Sequence, residues 1–220
     1  MFFLVFNTIF MKKSSFQKME EKMKSNRGQE VFYIKKKDLK KIRNYFLKQE
    51  KFVILALINI GINIALRISD LRNLKFEDID DEWKIKIREI KTKKIKYIQL
   101  NSSCKDAINQ LKHSYNTKGI SSTGYLFKSL NRVYIKTGFD APITSASVNR
   151  YFTQAKIDLK IPYAIGTHSL RKTWGYNVYR KTKDIGSIMK ILNHSSVAHT
   201  LRYIGIDQEE IDFIYENFNF

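Results

Sequence analysis

The stretch FVILALINIGINIAL, residues 52–66, leaves this chain few ways to fold. It is apolar on every side, so as a helix it has no face to turn to water and must be surrounded by other elements. Its 15 residues fall short of the about 20 needed to cross a bilayer. Asn59 and Asn63 also interrupt it, so we read it as a buried core helix. The neighbouring segments have the patterns needed to wrap it. LKKIRNYFLKQ carries a stripe of Leu39, Ile42, Phe46 and Leu47, with Asp38 as its expected N-cap. ALRISDLRNLKF predicts a short third helix capped by Ser69, with Leu71 and Leu74 facing inward.

WKIKIREI (83–90) and KKIKYIQL (93–100) alternate apolar and basic residues, the mark of half-buried strands. With Lys91 and Thr92 between them they predict a β-hairpin with a basic face. Ser102 or Ser103 can start the helix CKDAINQLKHSY. Residues 116–144 read as loops with one short strand at YLFKSL, and helices are expected over 145–157, 168–182, 184–192, 196–204 and 207–218. The fold class is mainly α with a small antiparallel β-sheet (α+β). It divides into a weakly ordered lead-in (1–30), one domain (31–206) and an acidic amphipathic helix (207–220). That last segment holds Asp207, Glu209, Glu210, Asp212 and Glu216 beside a stripe of Ile211, Ile214, Tyr215 and Phe218. Such a helix on a basic protein suits docking on protein, either on a neighbouring protomer or within the chain.

The 40 Lys and Arg against 21 Asp and Glu give a net charge of +19. Such an excess implies a polyanionic partner, nucleic acid or an anionic membrane surface. Cys104 is the single cysteine, which excludes an internal disulfide and suits a reducing cytoplasm. Cys104, His113, His168, His194 and His199 have no ligand-like spacing, so neither a metal nor another cofactor is expected. The opening MFFLVFNTIF is too short for a span and lacks the flanks of a signal peptide, so a soluble protein with an N-terminal extension is expected.

One stretch, GTHSLRKTWGYNVY (166–179), raises a question of chemistry. Thr167 suits an N-cap, and His168, Arg171 and Trp174 follow at spacings of three, which places them on one helix face. This is either a solvated basic helix end with a tryptophan anchor, or an oxyanion clamp beside a helix N-terminus whose N–H groups already favour an anion. Trp174 itself fits core packing better than stacking on a base. Other residues extend the set. Arg67 precedes the short third helix and Lys91 sits at the hairpin turn. His194 follows one helix in LNHSS, and Tyr203 lies nine residues later in TLRYIGI.

In order and spacing these residues resemble the tyrosine recombinase (phage integrase) family. The matching residues are Arg67 in LRISDL, Lys91 in IKTKKIKYIQL, His168 and Arg171 in HSLR, His194 in LNHSS and Tyr203 in TLRYIGI. The resemblance spans about residues 35–206, with 23 residues from Arg171 to His194. It implies a catalytic domain that cleaves and rejoins double-stranded DNA through a 3′-phosphotyrosine, without metal or ATP. Arg67 and Arg171 would hold the scissile phosphate with planar forks, which a lysine cannot present. His194 would donate a further hydrogen bond, Tyr203 would attack, His168 would serve as base, and Lys91, on a flexible hairpin, would protonate the departing 5′-oxygen. Asp70 takes the place of a supporting acid that orients Arg67 or a neighbouring base. Lys93, Lys94 and Lys172 are expected DNA contacts, and His199 is set aside because five residues from His194 is a poor angle for one helix face.

By the same resemblance the partners are DNA and further copies of the chain, four on two duplexes, joined through the C-terminal helix. Accessory DNA-bending proteins stand as additional candidates, no membrane is involved, and the location is cytoplasmic. Family members usually carry an N-terminal helical domain that grips the other face of the DNA, and roughly 30 residues are too few for one. The chain is similar instead to members made of the catalytic domain alone, such as fimbrial phase-variation recombinases. It could also be a fragment. A type IB topoisomerase would share the chemistry and reseal the same strand. A DNA-binding regulator on the same fold would have no need of Tyr203.

Overall fold

A computed structural model describes residues 30–206 and 215–217. The elements follow in the order α1 (Lys36–Lys48), α2 (Phe52–Ile64), α3 (Ile68–Leu71), a 3-10 turn (Phe76–Asp78), β1 (Lys84–Arg88), β2 (Ile95–Gln99), α4 (Ser102–Thr117), α5 (Arg132–Thr137), α6 (Ser145–Asp158), α7 (Thr167–Thr182), α8 (Ile185–Leu192) and α9 (Val197–Ile204). The expected mainly helical class with a two-stranded antiparallel sheet is what the chain adopts. Among the described residues no helix is long and apolar enough to cross a membrane. The lead-in through residue 29 and most of the acidic helix expected over 207–218 lie outside the described residues.

The apolar run becomes α2 and sits at the centre, in contact with α1, α3, α4 and α7. Leu57, Ile58 and Ile60 are fully buried on it. Leu39, Ile42 and Phe46 of α1 and Ile108, Leu111 and Tyr115 of α4 close over its sides, while Leu47 turns out to water. Gly61 lets α7 approach closely, since a methyl group there would come within 2.8 Å of Leu170 Cδ1. A smaller apolar cluster of Ala65, Ile188, Leu192 and Ile204, flanked by Trp174 and Tyr203, joins the ends of α2, α8 and α9 beside α7. Trp174 therefore packs in the core, as its place in the sequence implied.

The hairpin pairs Lys84 with Gln99 and Arg88 with Ile95. Ile85 and Ile87 face the core side, while Lys84, Lys86 and Arg88 face water.

Several local expectations are corrected. Asp38 does not cap α1. It lies in the first turn, buried, and accepts a hydrogen bond from the Tyr163 hydroxyl at 2.8 Å. Arg67 precedes α3 in extended conformation, so Ser69 is interior to that helix. Gly166, with Thr167 already helical, begins α7, and its N–H donates to Ser169 Oγ at 3.0 Å. Asn101 caps α4 by accepting from the Cys104 N–H. YLFKSL forms no strand, only single bridges from Tyr125 to Lys75 and from Lys128 to Pro142. Its place is held by the buried Lys128, whose ammonium donates to Thr123 O at 2.6 Å and Asp140 Oδ1 at 2.9 Å.

Gly175 is the contact point between α7 and the helix that carries Tyr203. A methyl group there would lie 2.6 Å from Ile204 Cγ2. Gly175→Ala is therefore expected to destabilise the protein by about 1–3 kcal/mol through overpacking. Gly186→Ala, which would meet only Asp184 Oδ1 at 3.5 Å, should be neutral or stabilising by about 0.4–1 kcal/mol. Urea unfolding of the two variants side by side tests the contrast.

Candidate functional site

Four segments deliver the sequence-predicted residues to one place. Arg171 lies in the first turns of α7 and is almost wholly buried. Its guanidinium donates from Nη1 to Ala65 O at 2.5 Å and from Nη2 to Leu192 O. Those carbonyls belong to the C-cap of α2 and the last residue of α8, both ends that carry partial negative charge. The arginine thus holds together the two helix ends that lead to Arg67 and to His194.

Arg67 is half-buried, and its Nη1 sits 3.1 Å from Glu89 Oε1. This is a charge contact without a directed hydrogen bond, since both atoms are buried with no hydrogen-bond partner among the described residues. Tyr203, on α9, lies close enough to Arg171 for that guanidinium to act on its phenol. Its ring stands edge-on to His194, centroids 4.9 Å apart. Burial pushes its phenol above the ordinary value of 10, against the opposing pull of Arg171 and Arg67.

The two histidines are held neutral. His168 keeps an exposed edge, and partial desolvation and then the charges of Arg171, Lys172, Arg67 and Lys91 push it below the ordinary 6.5. Burial, His199, Arg171 and Arg67 bring His194 down to about 4. His194 Nδ1 lies 3.2 Å from Thr200 Oγ1, and that hydroxyl donates to Ser196 O at 2.8 Å. With its proton so used, the Thr200 oxygen accepts, which assigns the proton to His194 Nδ1 and leaves Nε2 bare. Donation from Nε2 to an oxyanion then requires the imidazolium.

Lys91 is exposed at the hairpin turn, close enough to His168 for its charge to act on the ring. The turn itself is fastened, since Asp70 Oδ1 accepts the Ile90 N–H at 2.8 Å. Asp70 therefore supports the hairpin and does not hold Arg67, whose charge partner is Glu89.

Lys93 is exposed, with its backbone in the left-handed region at φ 58°. Lys94 is exposed too, but its Nζ donates to Asn193 Oδ1 at 3.1 Å. Lys172 is no surface contact. It is buried, paired with Glu30 Oε1 at 2.7 Å, and its Nζ lies 5.1 Å from the centroid of the Tyr203 ring.

Three residues outside the sequence-predicted set join the site. His199 packs its ring 4.5 Å from that of His194. Glu89 is wholly buried, and Lys96 donates to Ile191 O at 2.7 Å while pairing with Glu89 at 3.0 Å. A signal for the last two was present. Strand parity puts Glu89 on the face of Ile85 and Ile87, and puts Lys96 on that of Ile98. Among the described residues no group of three or more His, Cys, Asp or Glu could hold a metal ion.

Residues 33–210 match the family model described as the phage integrase family. A relative, a probable integrase/recombinase YoeC of Bacillus subtilis (strain 168), is 36% identical over 180 residues, 82% of this chain and 92% of that protein. The fold is similar to the crystal structure of XerA recombinase (TM-score 0.67, 21% identity, 88% of this chain and 66% of that one). It is also similar to XerH site-specific recombinase bound to palindromic difH substrate in a post-cleavage complex (TM-score 0.63, 16% identity, 84% of this chain). The chain spans 53% of the length of that XerH, so it corresponds to about half of the longer enzyme.

The buried titrations set an acid limit on stability. Burial alone would raise the Glu89 carboxyl, but the Thr92 hydroxyl, Lys96 and Arg67 outweigh it and hold it at about 2, below the ordinary 4.5. As pH falls from 6.5 to about 4, the unfolded chain takes up a proton at residue 194 that the folded chain refuses. Glu89 acts with the same sign from 4.5 to about 2. Stability is thus fullest above 6.5 and should fall through both windows. His194→Asn should make the first fall shallower, with His168 supplying the rest, and leave the second. Melting temperatures measured against pH for the two proteins check this, and equal slopes between pH 6.5 and 4 would contradict it.

Proposed function

Because the chain belongs to the phage integrase family, it is a tyrosine-type site-specific DNA recombinase, and we propose that Tyr203 is its nucleophile, working in a pocket built by Arg67, His168, Arg171 and His194. The observation that carries this is the placement of Tyr203 in the same subunit, its ring edge-on to His194 with centroids 4.9 Å apart and its phenol within the influence of Arg171 and Arg67. A phenol whose only role was packing would have no need of two arginines acting on its oxygen.

The proposed substrate is double-stranded DNA. The net charge of +19 supports it, and so does the basic outer face of the hairpin. In the first step the Tyr203 oxygen forms a bond to phosphorus as the bond to the 5′-oxygen breaks. The phenol proton passes to His168, and Lys91 gives a proton to the departing oxygen. A base must be unprotonated to act, and the desolvation and neighbouring cations that hold His168 below its ordinary value favour that state. Arg67 and Arg171 meet the charge that grows on the non-bridging oxygens. Losing one such donor typically slows a reaction by about 10²–10³-fold. His194 joins them once the arriving phosphate favours its imidazolium.

The covalent bond to Tyr203 retains the energy of the broken one, so rejoining is the same step reversed with another strand's 5′-hydroxyl. Exchange between two duplexes needs several active subunits. We assign their contact to the acidic segment 207–220 and the site of action to the compartment that holds the DNA. Lys93 on the hairpin turn is an outer phosphate contact in this reading.

Tyr203→Phe removes only the reacting oxygen. It should form no denaturant-resistant protein–DNA adduct on a nicked duplex, while its salt-dependent binding stays close to that of the unaltered protein. Adducts resolved by denaturing electrophoresis give the answer, and an adduct from the variant would remove Tyr203 from the mechanism.

A further inference from the structure

A carboxylate is the wrong charge to bury in a pocket for phosphate, yet Glu89 lies inside this one with no exposure to solvent. Placing it there carries a desolvation cost that only close partners offset. It also opposes the anion the pocket is built to receive. Its contacts show what it does in return. Oε1 lies 3.1 Å from Arg67 Nη1 and 3.0 Å from Lys96 Nζ. Oε2 accepts from the Thr92 hydroxyl at 2.5 Å. Its backbone closes the hairpin turn, with N–H donating to Lys94 O and carbonyl accepting from the Lys93 N–H, each at 2.9 Å.

Two consecutive hairpin residues are therefore pinned to one short helix and its cap. Glu89 is held to Arg67 through its side chain, and Ile90 to Asp70 through its N–H. The next residue is Lys91. On the other side Lys96 passes the connection to Ile191 O, at the end of the helix that leads to His194. Arg67 Nη1 meets Glu89 Oε1 by charge at 3.1 Å and makes no directed hydrogen bond among the described residues.

We propose that Glu89 is a positioning residue that fixes Arg67 and the hairpin carrying Lys91 relative to each other, so that the phosphate-binding cation and the proton donor reach one phosphodiester together. The proposal rests on the reading of the site given above. Its specific consequence concerns the leaving group. If Glu89 sets where Lys91 stands, its loss should hurt most when the departing oxygen needs a proton. It should hurt least when the 5′-oxygen is replaced by sulfur, because a thiolate departs unprotonated.

The test is single-turnover adduct formation on a nicked duplex, with either a 5′-oxygen or a 5′-bridging sulfur at the scissile bond. Glu89→Gln should slow reaction with the oxygen substrate by between about tenfold and a hundredfold, the range expected when a reacting group is misplaced. DNA affinity should be almost unchanged, Glu89→Asp should recover part of the rate, and the sulfur substrate should narrow the deficit. Thr92→Val removes a single donor to the carboxylate. It should show a smaller loss with the same leaving-group signature, which keeps the test open should Glu89→Gln fail to fold. An equal deficit on both substrates, or an unaltered rate in a folded Glu89→Gln or Thr92→Val protein, would overturn the proposal. Failure of the unaltered protein to form any adduct would instead overturn the reading of the site, and this inference with it.

Discussion

The site depends on one buried guanidinium that receives two helix ends. Arg171 is the point at which the C-cap of α2 and the last carbonyl of α8 meet. Each end carries partial negative charge, and the guanidinium satisfies carbonyls that helix geometry leaves without a partner. The caps on these ends are unusual in kind. Ala65 and Asn193 both adopt left-handed backbone, at φ 53° and 52°. Alanine pays roughly 1–2 kcal/mol for that conformation, and no glycine relieves it. The strain is accepted where a carbonyl must turn toward the arginine. Arg67 follows Ala65 by two residues and His194 follows Asn193 directly, so a single cation sets the starting points of both.

A second consequence is electrical. Once Arg171 and Arg67 are fixed, every titratable group nearby must answer to them. His168 and His194 stay neutral because a further positive charge is unwelcome and burial strengthens the objection. The phenol of Tyr203 feels two opposed influences, burial that resists its ionisation and arginines that favour it. A bound phosphate would reverse the balance for the histidines, since an anion added to the pocket offsets the cations that hold them neutral. The pocket is thus set for a ligand of one sign, and its protonation state changes when that ligand arrives. Lys172 stands apart from this. Its charge is paired with Glu30, which leaves its ammonium over the ring of Tyr203 as a packing contact and not a reach toward DNA.

Much of this was legible in the residues, and the failures have physical causes. The apolar run predicts a surrounded helix because no other state satisfies it, and the resemblance to the tyrosine recombinase family implies that the residues from Arg67 to Tyr203 share one pocket. Helix starts shift because Ser, Thr and Asp are accepted inside a first turn as well as at the cap. Asp38 was drawn inside by Tyr163, 125 positions away, a contact no local pattern reports. His199 was discarded on a helical-angle argument that applies only when both residues share a helix. His194 lies before α9, and the chain folds back there to bring the rings together. The short strand expected at YLFKSL does not form, because the buried Lys128 claims its surroundings through Thr123 and Asp140. Glu89 and Lys96 were overlooked for a different reason. The alternation of the hairpin displays its basic outer face, and only strand parity shows that Glu89 and Lys96 belong to the inner one.

That inner face changes how the hairpin should be understood. A two-stranded ribbon is marginal by itself in water, and its tip would swing if only the ladder held it. Here, besides the ladder and the Glu89–Arg67 pair, three polar contacts tie it to the site: Asp70 to the Ile90 N–H, Lys96 to Ile191 O, and Lys94 to Asn193. Two of the three end on the segment that leads to His194, and the other ends on the helix that follows Arg67. The hairpin is therefore tied to both helix ends that Arg171 joins, and the position of Lys91 follows from the same anchor as the rest of the pocket. What moves Arg171 should move everything. What moves only the hairpin should separate the proton donor from the phosphate-binding cations while leaving those cations in place.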